Sequence, residues 1–325
     1  MKLATFNLES FGANRLNEDD LGPRIEALRP KILELEADIL CLQEVNAQKV
    51  RGAEQRQFQA LDQLLSGTRY EAYQRVSSDW APGEGPGNRH NLLILSRYPI
   101  TEVESLFNRH ANPPRWLPMS ADPAYDSAQN VTFERPILKT TIDLGRPKPL
   151  HLFVVHFRAP IAAAIRGGKN EDRSWKSLTA WAEGYQLSIL KQTAQALELR
   201  LAVEALFEED EHAEVILTGD FNATGETGTL RLLRADPDDT GSPDFVHRRL
   251  YQLDASLPIE KRQTVIHKGK GLTLDHVLAS SALTDRVSDV RVYNHALPDE
   301  IYDDDDDDYA GSYHAAMRVE FDIDR

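Results

Sequence analysis

The stretch Val215-Ile-Leu-Thr-Gly-Asp-Phe-Asn-Ala223 limits the fold of this chain more than any other. Val215, Ile216 and Leu217 run without a break into Thr218-Gly219, and Asp220 and Asn222 follow. An apolar run bounded by turn signals reads as a buried strand. Glycine at 219 allows a sharp turn or a close approach to another backbone. Side chains two apart on extended backbone point to the same side, so Asp220 and Asn222 leave the strand end together. Two readings are open here. One is an Asx-turn, which Asp and Asn favour; the other is a reactive carboxylate–amide pair displayed at a sheet edge.

The rest of the chain repeats the pattern. Strands are predicted over 2–8, 38–45, 70–76, 91–96, 132–144, 150–156, 264–267, 272–279, 287–293 and 316–323. Helical periodicity marks 24–37, 54–65 and 186–207, with Pro30 a candidate kink in the first. Residues 108–130 lack a period and read as a long functional or mobile loop, and 157–183 as an irregular insertion. The turn at 145–149 makes a hairpin of the strands on either side. Strands with interspersed helices predict two packed sheets flanked by helices. The Pro/Gly-rich loops read as insertions, and one domain is expected over 1–325.

Composition narrows the function. The chain has 37 Lys plus Arg against 52 Asp plus Glu, a formal net charge of −15. That is a poor match for non-specific binding along nucleic acid, although it leaves room for a local basic patch. No apolar run of about 18 residues exists, so no membrane span and no membrane partner are expected. Cys41 lies in an apolar run and reads as a buried core thiol. With no signal-like N-terminus, a cytoplasmic location is the expectation. Oligomeric state is not legible. Asp303 to Asp308 is an unbroken acidic run, expected to be a solvated loop because it lacks the spaced ligands, central Gly and terminal Glu of a calcium loop.

Several strands end in polar groups: Asn7 and Glu9, Gln43 and Glu44, His156 and Arg158, Asp220 and Asn222, and Asp275 and His276. Ser312-Tyr313-His314 precedes the last strand. Gathered at one sheet edge, these supply a carboxylate–amide metal site, two imidazoles and a carboxylate partner, the inventory of metal-assisted phosphoester hydrolysis.

The chain resembles the endonuclease/exonuclease/phosphatase superfamily, the group with the pancreatic deoxyribonuclease-like fold. The resemblance is carried, in order, by Thr5-Phe-Asn-Leu8, Leu42-Gln-Glu-Val45, Asn91-Leu-Leu-Ile-Leu-Ser-Arg-Tyr-Pro-Ile100, Val154-Val-His-Phe157, Gly219-Asp-Phe-Asn-Ala223, Leu274-Asp-His-Val-Leu278 and Ser312-Tyr-His314. It implies an α+β fold: a four-layer α/β/β/α sandwich, two mainly antiparallel sheets packed face to face with flanking helices. It implies a phosphoesterase, nuclease or phosphatase, that uses Mg²⁺, with Mn²⁺ the alternative and Ca²⁺ disfavoured. The substrate would be a phosphoester, nucleic acid among the candidates.

Implied roles follow residue by residue. Glu44 would be the principal metal ligand, with Asn7 near the same ion. Asp220 and Asn222 would position and activate water and bind phosphate. Asp275 would fix the tautomer of His314, a base or a cationic donor to phosphoryl oxygens. His156 would be a second phosphate-facing imidazole. Arg135 matches a phosphate-contacting arginine, with a surface ion pair as its competing role, and Arg158 would reach the same face. His276 reads as structural. The last family motif is normally Ser-Asp-His, and here position 313 is Tyr. A phenol, with a reference pKa of about 10, is no substitute anion near neutrality. Three expectations follow: the remaining ligands suffice, the run Asp303–Asp308 lends a carboxylate, or the protein is a non-catalytic binding module that keeps the fold.

Overall fold

The computed structural model describes residues 1–15, 21–301 and 309–323, so the acidic run Asp303–Asp308 lies outside the described residues. Two six-stranded sheets dominate. Sheet strands in chain order are β1 Lys2–Phe11, β2 Ile39–Val45, β3 Gln74–Ser77, β4 Asn91–Ser96, β5 Ile100–Leu106, β6 Ile137–Ile142, β7 Leu150–His156, β8 Glu214–Asp220, β9 Leu250–Gln252, β10 Asp275–Ser280, β11 Val287–Val292 and β12 Met317–Phe321. The first sheet runs β11-β12-β1-β2-β4-β3 and the second β9-β10-β8-β7-β6-β5. Only β1/β2 and β7/β8 pair in parallel. The expected α+β sandwich of mainly antiparallel sheets is therefore the observed fold.

Alternation along the strands builds the layers. Ile39 and Cys41 of β2, and Leu152 and Val154 of β7, enter the core between the sheets together with Ile216 and Val277. Their neighbours Leu40 and Leu42 face outward onto Leu28 and Ile32 of helix α1 (Leu21–Leu35) and Leu61 and Leu64 of α2 (Gln59–Leu65). Phe153 and Val155 face Leu199 and Val203 of α3 (Leu178–Glu209). Strands buried on both faces lose the apolar–polar alternation of a half-buried strand, which is why β2, β4 and β8 read as unbroken apolar runs. Cys41 is fully buried, and burial pushes its thiol up.

Boundaries move for identifiable reasons. Helix α3 starts at 178, inside the expected insertion, because the Ser177 Oγ accepts from the Ala180 N–H at 3.0 Å and caps it. The expected strand over 70–76 begins instead as a 3₁₀ turn, Arg69–Ala72, since the buried Tyr70 hydroxyl accepts from Ala37 N at 2.9 Å. The long strand expected over 132–144 is cut to β6, beyond Pro136. The expected strand 272–279 splits: Leu272 belongs to a small hairpin, Val265–His267 with Lys270–Leu272, and the sheet strand starts at Asp275. The 108–130 loop is tied to α3. Glu198 accepts from Arg109 N at 2.6 Å and from Ala111 N at 2.7 Å, and Glu183 from Met119 N at 2.7 Å.

Gly219 lies opposite Val155 in the parallel pair. Its φ is +127°, and a Cβ there would stand 2.1 Å from the Val155 carbonyl oxygen. Both the backbone region and the space exclude a side chain. Gly219→Ala is expected to lower stability by about 3 kcal/mol or more, since overpacking and strain add; a denaturant midpoint unchanged from wild type would refute this.

Candidate active site

The register of the second sheet sets three side chains abreast. Asp220 is the partner of His156 on β7 and of Asp275 on β10. Across the sandwich, β1 and β2 bring Asn7 beside Gln43, with a register shift directly after it. Glu9, Ser10, Glu44, His90 and Asn222 all have φ between +48° and +57°. Left-handed backbone in non-glycine residues is costly, and its concentration at one end of the sandwich is a mark of a functional site.

Asn7 joins the two sheets. Its Nδ2 donates to Glu44 Oε1 at 3.3 Å and to Asp220 Oδ2 at 3.2 Å, while its Oδ1 accepts from Glu9 N at 2.9 Å. Asn7 thus holds the two carboxylates in place, its own oxygen fixed by the backbone of Glu9. Glu44 also accepts from Ser10 N at 3.1 Å and stands 3.1 Å from His90 Nδ1. Burial opposes its ionisation, but the hydrogen bond from His90 and the charges beyond it prevail and hold its carboxyl well below the usual range.

Asp220 is in the opposite state. Burial and repulsion from Asp275 raise its carboxyl, against the pull of His314. Its oxygens accept from Asn222 N at 2.8 Å and Asn222 Nδ2 at 3.0 Å. Asn222 Nδ2 also donates to Phe157 O at 3.0 Å. Asn222 therefore fixes Asp220 and the β7 end. Buried glutamines of α3 complete this floor. Gln192 Nε2 donates to Asn222 O and Arg158 O at 3.0 and 2.8 Å, and Gln195 Nε2 to Arg135 O at 3.0 Å.

His314 Nδ1 lies 2.8 Å from Asp275 Oδ2. Burial lowers the imidazole pKa, but the Asp275 carboxylate outweighs it and holds His314 up to about 10. The expected Asp275–His314 contact is thus present, with the carboxylate holding the ring as a cation. His156 differs. It is 2% exposed, and burial and the Arg135 charge keep it neutral. Arg135 Nη1 donates to its Nε2 at 2.5 Å. His156 thus aims Arg135 through Nε2, which also stands 3.4 Å from Glu44 Oε1 and from Asp220 Oδ2, while its Nδ1 is buried without a hydrogen-bond partner. Arg135 is not in a surface ion pair; with Arg158, Arg89, His90 and Trp80 it lines a cleft of about 240 Å³. His276 is structural as expected: it is fully buried, 2.9 Å from Asp254 Oδ2 and 2.9 Å from Ala223 O.

At the altered motif, Ser312 Oγ donates to Asn7 O at 2.8 Å and Tyr313 N donates to Glu9 Oε2 at 3.0 Å. A carboxylate from β1 therefore sits beside position 313. Burial raises the Glu9 carboxyl, opposed by His314.

The donor set fits a divalent cation. One oxygen of Glu44 and one nitrogen each of His90 and His156 lie within 4.8 Å of one another, and Asp220, Asp275 and His314 form a second such group. Sequence reasoning missed His90, the anchoring role of Gln192 and Gln195, and the placement of Glu9. His90 stands directly before the Asn91 motif; its turn toward Glu44 depends on a left-handed backbone that sequence does not display.

The raised pKa of His314 has a sign. Its contribution to stability is full below the unfolded histidine value, about 6.5, and is lost as pH rises through about 10. By NMR, His314 is expected to stay protonated through neutral pH. Asp275→Asn should lower its midpoint by about 1 to 3 pH units and flatten the loss of stability on the alkaline side. A wild-type midpoint near 6.5 would contradict the pairing.

Among solved structures, an endonuclease/exonuclease/phosphatase family protein from Leptotrichia buccalis C-1013-b is similar at 17% identity and a TM-score of 0.53, covering 99% of this chain and 100% of that one. A humanized D. rerio TDP2 is similar at 14% and 0.54, covering 99% of both chains. A 3′ phosphatase, NExo, from Neisseria, bound to product DNA hairpin, is similar at 18% and 0.51, again covering 99% of both. At these identities the likeness concerns the fold. Curated protein sequences give no match. The Endonuclease/Exonuclease/phosphatase family matches residues 4–314, nearly the whole chain, and the protein belongs to that family.

Proposed function

We propose that the protein is a divalent-metal-dependent phosphoesterase, cleaving a phosphodiester or phosphomonoester by in-line attack of water. The observation that carries this is geometric: Asn7, Glu44, Asp220 and Asn222 share hydrogen bonds across the two sheets, and His314 is held at 2.8 Å by Asp275, the strand partner of Asp220. A carboxylate raised toward neutrality is a competent base, and an imidazolium beside it is a competent donor.

Glu44, with His90 beside it, would hold the ion, which when bound supplies positive charge next to a phosphoryl oxygen. Asp220, oriented by Asn7 and Asn222, would align the attacking water and accept its proton. His314, fixed by Asp275, would donate from its other ring nitrogen to a phosphoryl oxygen or to the leaving group. Arg135, aimed by His156, and Arg158 would bind the remaining phosphoryl oxygens. Buried preorganised donors act without reorganising as charge develops.

For the substrate, a phosphoester within a nucleic acid or nucleotide is favoured over an isolated small one. The cleft beside the site carries Arg89, Arg135 and Arg158 and is edged by Trp80, 60% exposed, despite the chain's net negative charge. Arginines with an exposed aromatic suit phosphate and base together. The fold neighbour from Neisseria holds a DNA hairpin. No helix among the described residues is long and apolar enough to cross a membrane.

Glu9 bears on the reading as a non-catalytic binding module. That reading arises from Tyr313, and the carboxylate of Glu9, which accepts from the Tyr313 backbone N–H at 3.0 Å, supports the catalytic reading by keeping an acidic group near that position. Purified protein with Mg²⁺ or Mn²⁺ and a panel of phosphomonoesters, nucleotides and oligonucleotides is expected to show turnover. Asp220→Asn and His314→Ala should each reduce it by about 10²- to 10⁴-fold while circular dichroism stays native. Absence of any turnover sensitive to these substitutions would favour the binding module instead.

A further inference from the structure

We propose that the metal site takes a single nitrogen ligand, His90, beside Glu44, and that this ligand favours later first-row ions over Mg²⁺. The inference rests on the reading of the site as a metal centre and adds which of its two nearby imidazoles serves. His90 Nδ1 and Glu44 Oε2 stand 3.1 Å apart. Two ligands at about 2.1 Å from one ion, at a right angle, stand about 3.0 Å apart. The Nδ1 proton that His90 gives to Glu44 occupies the position an ion would take on displacing it, since metal binding releases ligand protons.

His156 is the competing nitrogen, and its surroundings exclude it. Its Nε2 already accepts from Arg135 Nη1 at 2.5 Å, so its lone pair is directed at a guanidinium. Its side chain is 2% exposed, against 31% for His90. A hydrated cation reaches His90 at the mouth of the cleft without entering the floor. The two rings meet edge to face with centroids 5.9 Å apart, so His156 supports the His90 ring instead.

The backbone is committed to this placement. His90 has φ +57°, and its N–H donates to Asn46 Oδ1 at 3.1 Å. This turn and its hydrogen bond set the ring against Glu44. Mg²⁺ prefers oxygen ligands and keeps its waters, whereas an imidazole raises affinity for ions such as Co²⁺ and Zn²⁺.

The test uses the full chain and His90→Asn, because asparagine tolerates left-handed backbone and retains the fold. Bound Mn²⁺ is probed by pulsed electron paramagnetic resonance for coupling to ¹⁴N. Affinities for Co²⁺ and Mg²⁺ are measured by calorimetry. The wild type is expected to show one directly coupled ¹⁴N, absent in the variant. Co²⁺ affinity should fall about tenfold or more, the scale reached even by outer partners of metal ligands, while Mg²⁺ affinity changes little. Bound Mn²⁺ without ¹⁴N coupling in the wild type, or coupling that survives in His90→Asn, overturns the assignment and leaves the phosphoesterase reading standing. Failure of the wild type to bind any of the three ions overturns both.

Discussion

One amide bridges the two halves of this molecule. Asn7 Nδ2 spans Glu44 on its own sheet and Asp220 on the other, at 3.3 and 3.2 Å. Two carboxylates at a largely buried sheet edge repel, with little water to screen them. A shared donor between them lets the sandwich close at its functional end. The bridge is itself fastened from both directions, by Glu9 N to its oxygen and by Ser312 Oγ to its carbonyl. The ends of β1, β2, β8 and the segment before β12 are thus fixed by one residue. Displacing it would loosen Glu44 and Asp220 together.

Around that bridge the charges are sorted rather than neutralised. Glu44 stays ionised because His90 donates to it; Asp220 is driven toward its neutral form; His314 is driven toward its cation. Similar groups take different states because desolvation is common to them all and the nearest partner differs. This is the separation of proton affinities that acid–base chemistry near pH 7 requires. The replacement at Tyr313 fits the same logic. Glu9 accepts from the Tyr313 amide, so an acidic group stands beside that loop. Tyr313 also packs against Tyr309, their ring centroids 4.8 Å apart, so the phenol is absorbed into an aromatic contact.

Much of the fold and most of the site were legible before any coordinates. Strand-end polar residues recur at Asn7, Glu44, His156, Asp220 and Asp275, and a sheet aligns strand ends whatever the intervening loops do. His276 read as structural, and it is paired in the core with Asp254, far from any open cleft. What the sequence does not display is orientation. Asn7 and Asn222 turn their amide groups onto carboxylates. His156, expected as a second phosphate-facing imidazole, meets Arg135 through its Nε2.

By itself the sequence determined the layers, the order of the strands' reactive ends, and the excess of carboxylates where an ion would sit. Those follow from side-chain periodicity, which is local and repeats every two residues along a strand. Only the tertiary structure decided which groups meet: Asp220 opposite His156 and Asp275 by register, Glu9 against Tyr313, and His90 against Glu44. Those contacts join residues 46 to 304 positions apart and hinge on left-handed turns at Glu9, Glu44 and His90. Neither long-range register nor a strained φ leaves a trace in composition or period. Both are set by the packing of one sheet on the other.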